Sequence, residues 1–193
     1  MNAEQILKLL EPFNPTFIAC VRGGWEEMFE GVLPATRLKF TLSARANVIH
    51  SLATSRLKVA FVENANALYI EQGLLRIVQV SGGDGAVLVR VKKLDEDLRT
   101  SNVLDWQQQV MGFVEPVRAV VNLGYTVREL GLEYYLNEIY LQQENKEGKL
   151  WVKSIWRADL EESNVAEVVT PTPPAVTVVP RKKAIQDQGK ASS

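Results

Sequence analysis

Six apolar residues, Leu42, Ala46, Ile49, Ala53, Leu57 and Ala60, step along the chain by four, three, four, four and three. That spacing is one face of an α-helix over about 42–62, and such a face must be buried. Arg45, Asn47, Ser51, Ser55 and Lys58 fall towards the polar side. His50 lies at the margin of the stripe, and Ser43 is a candidate cap near its start. Upstream the chain is also helical. Ile6, Leu9 and Leu10 share a face over 3–11, and Pro12 ends that segment. Asn14-Pro15 then reads as an N-cap followed by proline at the tolerated first position. Phe17, Val21, Trp25, Met28 and Phe29 continue at helical spacing as a buried aromatic stripe, with Gly23-Gly24 expected to weaken or bend the helix.

Beyond the helix the apolar period falls to two. Strands are expected at 68–71 and 74–80 around a Gln72-Gly73 turn, at 86–93 after the turn Ser81-Gly82-Gly83-Asp84-Gly85, and at 116–127. A long hairpin follows, 133–143 with 149–156, across Asn145-Lys146-Glu147-Gly148, and a short helix is expected at 103–111. No helix opens after the Gly-rich turn and no Gly-Lys-Ser/Thr follows it, so it is a hairpin and not a phosphate loop. The fold class is α+β: N-terminal helices followed by a largely antiparallel sheet of five to six strands. One domain spans 1–157. From 158 to 193 the chain has four prolines, no aromatic residue and no persistent period, the pattern of a disordered tail.

Composition closes off several functions. One Cys and one His in 193 residues cannot build a cysteine-rich zinc site or an internal disulfide. No apolar run approaches a membrane span, and Met-Asn-Ala-Glu is not the start of a signal peptide, so the expected compartment is the cytoplasm. The net charge of −1 excludes binding to polyanions by bulk charge. Charge is nevertheless uneven: residues 1–36 carry 2 basic and 5 acidic side chains, whereas 37–102 carry 10 basic and 6 acidic. A segment at +4 is a candidate anion-facing surface.

The densest candidate stretch runs from Val89 to Asn102. Alternation places Arg90 and Lys92 on one face, opposite Val89, Val91 and Lys93, and the next loop adds Arg99, Thr100, Ser101 and Asn102. Arginine with small polar side chains suits phosphate or carboxylate groups. The competing reading is a solvated edge strand whose lysines oppose aggregation. The pieces Arg45-Ala46-Asn47-Val48-Ile49-His50, Arg90-Val91-Lys92-Lys93-Leu94-Asp95, Arg99-Thr100-Ser101-Asn102 and Gly124-Tyr125, followed by a hairpin ending in Trp151, occur in this order. Over about 40–157 the chain resembles a family of uncharacterised bacterial and phage-type proteins. Two positions depart from the family pattern: Val91 stands where an aromatic is usual, and Ser51 follows His50 where an acidic residue is common. The resemblance brings no activity. It implies a mobile-element setting and a shared anion- or nucleic-acid-binding surface of Arg45, His50, Arg90, Lys92, Lys93, Arg99, Ser101 and Asn102.

Three functions compete. The first is a non-enzymatic protein whose basic face, helix 42–62 with strand and loop 86–102, meets nucleic acid or an anionic protein surface. The second is a divergent Mg²⁺-dependent nuclease with Asp84 and Lys92, which suffers from Arg90 standing where a metal-binding carboxylate is required. The third is an interaction adaptor acting through Tyr134, Tyr135, Tyr140, Trp151 and Trp156 of the hairpin. Cys20 lies in an apolar helix with nothing near it in sequence to activate a thiolate. No catalytic residue, metal or cofactor is assigned.

Overall fold

The computed structural model describes residues 1–73, 75–83, 85–100, 116–130, 133–145 and 148–158. The helix expected at 103–111, the candidates Asp84, Ser101 and Asn102, and the tail lie outside the described residues, apart from Ala158. Four helices come first: α1 (Ala3–Leu10), α2 (Asn14–Gly31), α3 (Pro34–Arg37) and α4 (Leu42–Ala60), with a 3₁₀ turn, Glu11–Phe13, between the first two. Six strands follow: β1 (Ala67–Gln72), β2 (Leu75–Gly82), β3 (Gly85–Lys93), β4 (Val117–Leu130), β5 (Glu133–Asn145) and β6 (Gly148–Arg157).

Local chemistry sets the helix boundaries. Asn2 accepts from the Gln5 amide at 2.9 Å while Gln5 Oε1 accepts from the Asn2 amide at 2.8 Å, a reciprocal cap on α1. Asn14 is not a cap. The 3₁₀ turn already carries the chain in right-handed helical geometry, so Asn14 sits inside α2 and lacks the extended backbone that capping needs. Thr41, not Ser43, caps α4, accepting from the Ala44 amide at 3.1 Å. Gly23 and Gly24 do not break α2, which runs unbroken from Asn14 to Gly31. They bring α2 against α4 instead: a Cβ on Gly24 would stand 2.7 Å from the backbone nitrogen of Ala53.

The sheet keeps chain order, β1-β2-β3-β4-β5-β6, and every neighbouring pair is antiparallel except β3 with β4, which is parallel. Register puts Val78, Val89 and Val121 in one row and Val91 beside Leu123 in the next. These residues, with Val80, Val87, Tyr125, Ile139 and Leu141, face the helices and meet Ile6, Leu10, Phe17, Val21, Met28, Ile49, Ala53, Leu57 and Phe61. Phe13, Phe17 and Phe61 form a tilted aromatic cluster with centroids 5.7 to 6.3 Å apart. Full burial of Phe17 and Phe61 contributes about 2–3 kcal/mol each. The ends of the α4 stripe run past this core, since Leu42 and Ala60 are exposed.

β3 is a central strand buried on both faces, so it is not the solvated edge that its lysines could suggest. On the face away from the helices, Ile77, Leu88, Arg90, Asn122 and Gln142 are all buried.

Candidate functional site

The six described candidates of the sequence separate onto the two faces of the sheet. Arg90 and Lys92 occupy the face away from the helices, with exposed Arg99 in the loop that folds back over it. Arg45 and His50 project from α4 on the helix side, and Lys93 shares that side with its register partner Tyr125. The three basic groups of the far face and the three residues of the helix side therefore form two sets, linked only where the Lys92 ammonium is near enough to bear on His50.

Arg90 is 8% exposed and its charge is occupied. Its Nε donates to Asn122 Oδ1 at 2.7 Å, and Asn122 Nδ2 donates to Glu144 Oε1 at 3.0 Å. Thr100 also donates through its hydroxyl to Glu144, and Gln142 donates to the Leu98 carbonyl. Burial lowers the Arg90 pKa, and the Glu144 carboxylate pushes it back up. Lys92 is lowered by burial and by Arg90, with Glu144 acting the other way. The loop is pinned by Leu94 and Thr100, which bridge, and by Leu98 at φ 57°, a left-handed backbone that leucine rarely adopts. Leu94 lies over Gly124, where any Cβ would collide with it. This face is a buried polar network holding a loop, with one acceptor, Gln142 Oε1, left without a partner among the described residues.

His50 is half-buried, and burial, then Lys92 and Arg76, depress its pKa below the ordinary value. It is neutral near pH 7 and supplies no positive charge there. Cys20 is buried and its thiol is pushed up to about 11, so it is no nucleophile. Among the described residues no group of three or more His, Cys, Asp or Glu could hold a metal ion, and no helix is long and apolar enough to cross a membrane.

Arg45 stands apart. Its guanidinium lies 3.8 Å over the Tyr134 ring, and its Nε and Nη1 are buried without a hydrogen-bond partner among the described residues. It lines a half-open cavity of about 460 Å³ between α2, α3, the start of α4 and the start of β5. Trp25 and Phe29, stacked at 4.7 Å, form one wall, and Tyr134 and Tyr135 form the other. Arg37 closes the α3 side, its guanidinium 4.5 Å over Phe29 and its Nη1 donating to the Phe29 carbonyl at 2.7 Å. A deeper pit of about 20 Å³ adjoins the cavity, sharing Trp25, Met28, Arg45 and Tyr134 and adding Lys93 and Tyr125. Tyr125 is fully buried and its hydroxyl has no partner among the described residues. Desolvation raises its pKa, so the group remains a hydroxyl donor. An aromatic recess thus holds one buried guanidinium, Arg45, and the small pit beside it adds Tyr125 and Lys93.

The sequence pointed to Arg45 and Lys93 but missed Arg37, Tyr125 and the role of Trp25 and Phe29. The four-residue step from Trp25 to Phe29 is the same whether a ring faces a core or a cavity, and nothing around Arg37 distinguishes it. Comparison with protein-family models, curated proteins and solved structures gives no match for this chain.

Proposed function

We propose that this chain is a non-catalytic binding protein that receives an anionic group of its partner in the recess between Trp25, Phe29, Arg45 and Tyr134. The observation that carries the reading is Arg45, whose buried Nε and Nη1 have no acceptor among the described residues while its guanidinium lies on Tyr134. Leaving buried donors unsatisfied costs stability, and a carboxylate, sulfonate or phosphate oxygen would recover it as a charge-assisted hydrogen bond. The aromatic walls favour a ligand with an apolar body, and the volume falls in the range of ligand pockets. The motif resemblance adds a mobile-element or phage setting to this proposal.

Anilinonaphthalene sulfonate, an aromatic anion, is the direct probe. Its fluorescence titration should saturate with the folded protein, and Arg45→Ala should weaken it about tenfold with little change in melting temperature. Equal binding by Arg45→Ala removes the reading. A polynucleotide is the second form of the anionic partner, favoured by the +4 charge of residues 37–102. Affinity for a short DNA duplex that falls steeply with salt would support that form, and a flat or absent response discards it.

A further inference from the structure

Exposed apolar side chains flank the recess. Leu38 (56% exposed) and Tyr135 (44%) line it, Leu42 (52%) lines the adjoining pit, and Leu33 (75%) precedes Pro34 of the wall. A small molecule seated between the rings would leave this apolar collar in water. Collars of exposed leucine around a concave aromatic site mark protein interaction surfaces. Charge gives the surface a direction. Arg45 lines the recess and Lys93 the adjoining pit, whereas Glu26 and Glu30 stand at the α2 side, Glu26 within 3.7 Å of Arg22. No carboxylate pairs with Arg45 among the described residues.

Resting on the anion-binding reading above, the geometry points to a polypeptide partner: a segment with one aromatic or leucine-sized anchor, which fills the recess, and an adjacent Asp or Glu, which reaches Arg45. The collar of Leu33, Leu38 and Leu42 covers the flanks of the segment and excludes water from the ion pair, which strengthens it. Burying the anchor supplies affinity, and the carboxylate sets orientation.

The test uses the full chain and synthetic fluorescein-labelled dodecapeptides, read by anisotropy. Each peptide carries a single Trp, Phe or Leu with a neighbouring Glu, and matched peptides carry Gln or Lys in its place. The Glu peptides should bind, with Gln and Lys versions about tenfold and more than tenfold weaker. Arg45→Ala should erase the Glu preference. Leu33 belongs to the collar but does not line the recess, so Leu33→Ser should weaken the Glu peptides about threefold to tenfold while leaving anilinonaphthalene sulfonate within about twofold, which separates the collar from the recess. Sulfonate binding without peptide binding, or peptide binding indifferent to Leu33→Ser and to the Glu-to-Gln change, overturns the polypeptide assignment and leaves the anion site standing. Loss of both probes' dependence on Arg45 overturns the site itself. A concentration-dependent dimer in sedimentation that Leu33→Ser weakens would assign the collar to a second copy and also overturn the peptide partner.

Discussion

The two faces of the sheet use arginine in opposite ways. On the far face Arg90 is taken up by Asn122, which in turn holds Glu144, and the result is a pinned loop. On the helix side Arg45 is held by the face of a ring, which fixes its position without consuming its hydrogen bonds. Positive charge in a sequence therefore says little about binding until the acceptors around it are counted. An arginine whose donors meet side-chain acceptors is part of the scaffold. One held through its π face keeps its donors for a ligand.

The contrast can be broken in four places. The largest effect is expected where the helix layer meets itself: Gly24→Val forces α2 away from the Ala53 backbone and should cost about 3 kcal/mol in urea unfolding. Next comes the far face. Asn122→Leu removes the acceptor of Arg90 Nε and one of the two donors to Glu144 Oε1, which keeps the Thr100 hydroxyl, and should cost about 2 kcal/mol. The same change should leave anilinonaphthalene sulfonate binding untouched; reduced binding would mean that the two faces are coupled. A smaller effect belongs to His50. Its folded pKa lies below the unfolded value of 6.5, so the unfolded chain binds more protons as the pH falls through that window. Stability should be fully present above pH 6.5 and decline on acidification. His50→Gln should flatten the melting temperature between pH 7.5 and the depressed pKa relative to the parent. The smallest stability change is reserved for Arg45→Ala, about 0.5–1 kcal/mol for a lost cation–π contact, although ligand binding falls most there. A large unfolding penalty at Arg45 would make it scaffold, and the difference between the two arginines would disappear.

Much of the fold is legible from the two periods of the sequence. Helical spacing from Leu42 to Ala60 and alternation from Val87 to Val91 correspond to α4 and β3. Other features leave no such trace. Alternation in β4 is the same for parallel and antiparallel partners, so the β3–β4 pairing depends on the course of the intervening chain. Arg90 and Lys92 look solvated because alternation separates two faces without saying whether the second is covered. Asn122 and Gln142 mislead in the same way: a polar residue on a strand reads as outward, yet both are buried with partners. At the recess, Arg45 and the tyrosines of β5 attracted notice through unrelated patterns. Only the docking of β5 beneath α2 and α4 brings Tyr134 under the Arg45 guanidinium.

The single parallel seam between β3 and β4 has a consequence for how the molecule assembles. Each side of the seam is a three-stranded meander of short, local connections, which closes quickly. Joining them requires the ends of a connection of more than twenty residues, from Lys93 to Val117, to meet, and the entropy of that closure is met before any seam contact forms. During synthesis the helices emerge first, yet Arg45 rests on Tyr134 of β5, the fifth of the six strands to emerge. The recess therefore does not exist on any nascent fragment that stops short of β5, and its formation reports that the chain has closed across the parallel seam as far as that strand.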